Sequence, residues 1–248
     1  SGFVVLASSL ALAVWWYFQT VFYYDRYLLG FNDFGHFTQR IANTANGNGF
    51  LLETPVLPAF WDHFNPALVL LVPLWSVFES VHVVFVLQAV SLAASGWLAY
   101  RLALACELSQ ASSACVGMAF LLQPTLGQMN LAYTYGWHPV TFAIPILLIA
   151  LIGLRKGQVA LSGVAVLLAM TVEEGVFVVV GCFAASCAIQ ILILRYFGDQ
   201  TQGDKAGEGK KISQESQNGG KSGQCYGLGL NVWLAIFIAS AGGFVLVY

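Results

Sequence analysis

The chain has 248 residues, of which 58% are hydrophobic and only 9% are charged. Because a soluble domain of ordinary composition carries about 25% charged residues, this composition excludes an ordinary soluble globule and indicates a helical protein that crosses a membrane several times. The net charge of −2 argues against a nucleic-acid-binding surface, which needs a basic patch.

The first apolar segment, residues 3–24, is long enough to span a bilayer, which needs about 20 apolar residues. It is followed by a polar, turn-rich region, and residues 25–80 are predicted to form one external loop. Within this loop Phe34, Phe37 and Ile41 recur at helical spacing, so residues 33–45 are expected to form an amphipathic helix on the membrane surface.

The second helix expected in this loop covers residues 66–78. Asn65 before Pro66 is typical of a helix start, with a capping side chain followed by proline at the first helical position. The segment has 13 residues and contains Pro73, so it is too short to span and is predicted to lie at the interface.

Further apolar segments are predicted to span the membrane, and a polar loop interrupts them. Residues 198–226 hold eight of the 22 charged residues and are predicted to form a flexible cytoplasmic loop. The chain starts without Met and ends inside an apolar run, so it is expected to be a fragment of a longer protein. The predicted spans after the external loop cover residues 81–105, 111–126, 139–154, 158–172, 176–197 and 227–248.

The basic residues and the acidic residues fall mostly at opposite ends of the predicted spans. Eight of the ten basic residues, among them Arg101, Arg155, Lys156 and Arg195, fall at one set of span ends. The positive-inside rule then places the N-terminus in the cytoplasm and most acids and histidines of the first three-quarters outside.

Four polar groups converge on the predicted outer face, and each has a structural and a functional interpretation. Asp33 is either an N-cap or a general base or metal ligand. The pair at 62–63 is either a polar interfacial loop or a source of ligands and acid–base groups near Asp33. His138 is either a helix-entry residue or a metal or phosphate ligand. Two adjacent carboxylates, Glu173 and Glu174, are costly between spans unless they face water, a cation or a ligand.

Two further side chains share the polar face of the first surface helix with Asp33. His36 lies one turn on, and Arg40 one turn further, where it is expected to bind an anionic group. The five cysteines show no metal or redox spacing and are expected to be small apolar packing residues.

Four short motifs resemble a bacterial multi-pass membrane family, the domain of unknown function 2079. They are residues 32–39 (NDFGHFTQ), 62–66 (DHFNP), 137–139 (WHP) and 173–174 (EE), which match the family's D-x-G-x-F-x-Q, D-H-F-S-P, F-H-P and K-E-D. The resemblance runs from about residue 25 to 195. Val172 and Glu174 depart from the family's Lys and Asp, and the charged loop from residue 198 resembles an insertion.

That family is similar in layout to the GT-C glycosyltransferases, which use polyprenyl-phosphate-linked sugars. The resemblance implies an all-α, polytopic transmembrane bundle over residues 1–197, with two interfacial helices in the first external loop. It implies sugar transfer from a polyprenyl-phosphate donor to an unidentified acceptor at the outer face of the bacterial inner membrane. A membrane transporter and a non-catalytic assembly subunit are the alternatives.

The residues expected to carry this function follow from the same comparison. A divalent metal ion of unknown identity is the expected cofactor. The expected catalytic carboxylates are Asp33, Glu173 and Glu174; the expected phosphate or substrate contacts are His36, Arg40 and His138; the expected metal ligands are Asp33, His63 and His138.

Overall fold

A computed structural model describes residues 1–53, 60, 62–131 and 135–205, with side chains up to residue 193. The described part is helical, which confirms the predicted all-α class. Its α-helices are α1 (Gly2–Tyr24), α2 (Asn32–Ala45), α3 (Val72–Phe78), α4 (His82–Ala105), α5 (Gln110–Leu121), α6 (Pro124–Leu131), α7 (Ala143–Arg155), α8 (Val159–Met170) and α9 (Gly175–Lys205). Two 3₁₀ helices, Pro66–Leu71 and Pro139–Phe142, lead into α3 and α7.

Among the described residues, three helical segments are long and apolar enough to cross a membrane. These are Gly2–Tyr24, His82–Ala105 and Gly175–Ile193. The apolar helices Pro66–Phe78, Pro139–Arg155 and Val159–Met170 are shorter. Pro66–Phe78 is therefore helical and short, as its sequence predicts, while its interfacial position stays a prediction.

The predicted span 111–126 is not one helix. The structure has α5 ending at Leu121 and α6 beginning at Pro124. Proline lacks the N–H that continues a helix, and it disfavours helical backbone in the residue before it. The 12 residues of α5 extend about 18 Å, well short of a hydrocarbon core of about 30 Å.

The last described helix is longer than expected. α9 continues to Lys205, so the predicted loop at 198–226 begins with helical residues. The rest of that loop and the predicted span at 227–248 lie outside the described residues. By its contacts the chain divides into one compact unit at residues 1–176 and a second at 177–248.

Within the first unit, helices approach closely where small residues meet. α4 packs against α1, α5 and α7, and α7 packs against α8. A side-chain carbon on Gly117 of α5 would lie 3.0 Å from the carbonyl oxygen of Gly96 in α4. Small residues at such crossings let helix backbones approach closely inside a membrane.

A buried amide joins three helices of this unit. Asn130 of α6 donates through Nδ2 to the backbone oxygen of Trp16 (3.1 Å) and to Oγ1 of Thr20 (2.9 Å) in α1. Gln88 of α4 donates through Nε2 to the backbone oxygen of Asn130 at 2.7 Å. These bonds satisfy polar groups that apolar surroundings would otherwise leave unpaired.

Candidate functional site

The site is built on α2, whose apolar face lies against the core. Phe34, Phe37 and Ile41 are buried, as their spacing predicts. They belong to one hydrophobic cluster with Phe85 of α4 and Trp137. This packing fixes the orientation of α2 and directs Asp33, in its first turn, toward the connection that follows α6.

Backbone contacts hold that connection against α2. The N–H of Phe34 donates to the oxygen of Tyr135 at 3.0 Å. Gly136 has a φ of +80°, and a side-chain carbon there would lie 2.0 Å from the oxygen of Gly30. Only glycine fits both the positive φ and this close approach. The connection therefore places His138 next to α2.

His138 lies between two carboxylates. Its Nε2 is 3.6 Å from Oδ2 of Asp33, and its Nδ1 is 3.2 Å from Oε2 of Glu173. Among the described residues, neither His138 Nδ1 nor Glu173 Oε2 has a hydrogen-bond partner, although both atoms are buried. The ring stands edge-on to Phe37, with centroids 4.9 Å apart. The imidazole is thus confined by packing while its polar contacts are incomplete.

A second imidazole is held by the next carboxylate along the chain. Nδ1 of His63 is 2.8 Å from Oε1 of Glu174, and the other oxygen of Glu174 accepts from the N–H of Phe64 at 2.9 Å. The N–H of Ala67 donates to the oxygen of Thr171 at 2.9 Å and joins the same two segments. The Glu174 hydrogen bond raises the pKa of His63 above its ordinary value, although burial acts in the opposite direction.

The two imidazoles face each other. The ring centroids of His63 and His138 are 5.6 Å apart. One ligand atom from each of these residues and one from Asp33 lie within 4.8 Å of one another. We call the following five residues, which four separate segments bring together, the imidazole site: Asp33, His63, His138, Glu173 and Glu174. These are five of the seven residues that the sequence singles out.

The remaining two belong to a neighbouring group, the arginine cluster, which we define as Arg40, His36, Glu53, Asp62 and Asn65. Arg40 is 1% exposed. Its Nε donates to Glu53 (2.5 Å), and its Nη1 donates to the side chain of Asn65 (2.9 Å) and the backbone of His63 (3.2 Å). Its Nη2 binds Glu53 and Asp62.

These contacts correct the sequence-based role of Arg40. A guanidinium has five N–H donors, and the protein engages every nitrogen, so this side chain does not offer a fork to a phosphate. His36, also expected to contact substrate, has Nδ1 2.5 Å from Oε2 of Glu53. Burial alone would raise the pKa of Asp62, but the Arg40 hydrogen bond and charge hold it below its ordinary value.

Two residues of the arginine cluster differ from the sequence-based predictions. Glu53 was not predicted as a functional residue, and Asn65 was predicted to cap a helix with its side chain. Glu53 is the only carboxylate between α2 and Asp62 in the sequence, and this was the only feature of the sequence that could have indicated a partner for Arg40. Asn65 is the N-cap residue of the 3₁₀ helix that begins at Pro66, as its sequence predicts, but its side chain makes no capping bond and its oxygen accepts from Arg40 instead. Asp33, by contrast, lies inside the first turn of α2, where Phe31 is the N-cap residue.

An apolar groove of about 260 Å³ adjoins the imidazole site. It lies between the Pro66–Phe78 segment, α4, α7 and the end of α8, and Pro139 and Val172 in its lining directly neighbour His138 and Glu173 in the chain. Its polar Ser91 donates its hydroxyl to the oxygen of Thr141 at 3.0 Å. The groove therefore presents hydrocarbon to whatever enters it.

Comparison with known proteins gives a family but no characterised relative. No curated protein and no solved structure matches the chain. A family described as "Predicted membrane protein (DUF2079)" matches residues 25–248, a range that includes every residue of the imidazole site and the arginine cluster. The chain therefore belongs to this family of predicted membrane proteins.

Proposed function

We propose that this protein is a membrane glycosyltransferase that moves a sugar from a polyprenyl-phosphate donor to an acceptor hydroxyl at the outer face of the bacterial inner membrane. One observation carries the proposal. Three carboxylates and two imidazoles meet in the imidazole site, and this polar group directly adjoins an apolar groove. A polyprenyl-phosphate sugar has a matching division between a polar head and a hydrocarbon chain.

The distribution of charge supports an outward-facing site. Short connections at 106–109 and 156–158 join α4 to α5 and α7 to α8, so the helices of each pair run in opposite directions. Arg101 and Arg155 are near these connections, at the ends of α4 and α7 remote from the imidazole site. Positive residues favour the cytoplasmic side, which supports an external position for the opposite ends.

The proposed reaction is a displacement at the anomeric carbon of the donor. The acceptor oxygen forms a bond to that carbon, the bond from the carbon to the phosphate oxygen breaks, and the lipid phosphate leaves with the bonding electrons. Asp33 accepts the acceptor's proton, a contribution of roughly 10²- to 10⁴-fold for a well-placed base. His138 and His63 supply positive charge or hydrogen bonds to the leaving phosphate.

The groove supports a lipid-linked donor rather than a free nucleotide sugar. Leu68, Leu71 and Phe142 are among its lining residues, and they would contact the hydrocarbon chain. Apolar contact of this kind stabilises binding by about 25 cal/mol per Å² of surface removed from water. A nucleotide would leave this surface uncovered.

The test is a transfer assay with the purified full chain in lipid vesicles and radiolabelled polyprenyl-phosphate sugars. We expect label to pass to an extractable acceptor, and we expect Asp33→Asn to lower the rate by at least about 100-fold because the base is lost. His82→Ala is the matched control, since His82 is a half-buried histidine at the head of α4 that contacts Tyr17 outside the site. Absence of transfer from every such donor, or full activity of Asp33→Asn, would overturn the proposal.

A further inference from the structure

We propose that the imidazole site binds one divalent transition-metal ion of the zinc class through Asp33, His63 and His138, with Glu173 and Glu174 orienting the two imidazoles from behind. This inference deepens the proposed transferase function by naming the cofactor of the same site. It is testable by metal binding alone.

The candidate ligand atoms lie at a distance that suits a shared ion. Oδ2 of Asp33 and Nε2 of His138 are 3.6 Å apart, which is too long for a hydrogen bond. Two ligands about 2.1 Å from one tetrahedral ion lie ~3.4 Å apart, so this distance suits a shared ion. His63 brings a third atom within 4.8 Å of the other two.

The two glutamates lie beside the two imidazoles. Each contacts Nδ1 of a different histidine, Glu173 at 3.2 Å from His138 and Glu174 at 2.8 Å from His63. A carboxylate at one ring nitrogen keeps the proton there and leaves the other nitrogen, Nε2, as the ligand atom. Glu174 thus fixes the tautomer of His63 through a hydrogen bond, and Glu173 lies near the corresponding ring nitrogen of His138.

The identity of the donors selects the class of ion. Imidazole nitrogen suits zinc, iron, nickel and copper, whereas Mg²⁺ and Ca²⁺ prefer sites made of oxygen. Three protein ligands also leave an open coordination position, which the phosphate oxygen of a donor can occupy. Oδ1 of Asp33 remains available as a base when Oδ2 coordinates the ion.

The arginine cluster is the rival location for a cation, because His36, Glu53 and Asp62 also bring ligand atoms within 4.8 Å of one another. There, however, the guanidinium of Arg40 already lies against both carboxylates. A divalent ion would have to displace a buried, fully bonded cation. The five residues of the imidazole site include no guanidinium or ammonium group.

The experiment measures metal content and affinity in the full chain, purified in detergent and stripped with a chelator. We expect one equivalent of Zn²⁺ to be retained in preference to Mg²⁺, and Co²⁺ in its place to give the visible absorption of a low-coordinate nitrogen–oxygen site. Glu174→Gln should weaken zinc binding by about 10- to 100-fold, and His138→Ala should weaken it further.

Two control variants should bind zinc as the unaltered chain does. They are His82→Ala and Glu107→Gln, whose side chains lie outside the site, Glu107 being exposed between α4 and α5. Helical circular dichroism and size-exclusion chromatography verify folding. If His138→Ala does not fold, the Glu174→Gln affinity and the Co²⁺ spectrum of the unaltered chain decide the question.

Three results would overturn the inference: no zinc retained, equal binding by Glu174→Gln and the controls, or zinc lost in His36→Ala and kept in Asp33→Asn. The outcome is separable from that of the transferase proposal. Sugar transfer by a protein that retains no zinc would overturn the metal inference alone, while zinc binding without any transfer would overturn the transferase proposal alone.

Discussion

The arginine cluster and the imidazole site contain similar groups and differ in one respect. Both gather histidines and carboxylates around α2, and both bring three potential ligand atoms within 4.8 Å. The arginine cluster includes its own cation, Arg40, whose nitrogens are all bonded. The imidazole site leaves Nδ1 of His138 and Oε2 of Glu173 without hydrogen bonds among the described residues. The guanidinium of the arginine cluster is therefore fully bonded, whereas the polar contacts of the imidazole site are incomplete.

The largest effect on stability should come from removing the built-in cation. Arg40→Ala removes the guanidinium that contacts both the buried Glu53 and the partly exposed Asp62, which should lower the free energy of unfolding by about 3–5 kcal/mol. Thermal unfolding in detergent measures this loss. Arg101→Ala is the matched control, because Arg101 is exposed and its side chain lies over Trp97. Equal effects of the two substitutions would show that the arginine cluster is not a stabilising unit.

A smaller loss should follow from disturbing the backbone beneath the imidazole site. Gly136→Ala places a carbon 2.0 Å from the oxygen of Gly30 and forces a positive φ on alanine, at a cost on the order of 1–3 kcal/mol. Because this contact positions His138 beside Asp33, the folded fraction of the Gly136→Ala protein should show slower sugar transfer and weaker zinc binding.

The control for this substitution is Gly163→Ala in α8, where a side-chain carbon would meet nothing within 4 Å. Alanine favours a helix over glycine by about 1 kcal/mol, so this variant should be as stable as the unaltered chain or slightly more stable. A Gly136→Ala protein with unchanged stability and zinc affinity would contradict the assigned role of the connection.

The smallest effect should be the pH dependence of the His63–Glu174 pair in metal-free protein. The pKa of His63 is raised in the folded state, so the pair's contribution is fully present below the unfolded pKa of about 6.5 and is lost as pH rises through the folded value. Unfolding midpoints from pH 5.5 to 9 should therefore fall more steeply for the unaltered chain than for Glu174→Gln. Parallel profiles would refute this assignment.

The sequence predicted the imidazole site better than it predicted its neighbour. The predicted topology assumed that consecutive spans alternate in direction, so that polar residues at every second connection gather on one side, and on this assumption it grouped His63, His138 and Glu173. A helical pattern also predicted the buried Phe37 correctly. Neither rule requires knowledge of how a loop folds.

The arginine cluster depends on such knowledge. The helical pattern places Arg40 on the polar face of α2, but the burial of Arg40 accompanies its contacts with Glu53, Asp62 and Asn65, which follow α2 in the chain. Glu53 lies in a segment without periodicity, so its partner could not be inferred. Similarly, hydropathy ran continuously through residues 111–126 and concealed the helix break before Pro124.

The amide bonds of Asn130 have a consequence for the position of α6. They hold α6 against α1 through Trp16 and Thr20, and Gln88 of α4 donates to the backbone oxygen of Asn130. His138 follows α6 in the chain. We therefore expect a change at Asn130 to loosen the packing of α6 and to displace His138 relative to Asp33, without altering any residue of the imidazole site.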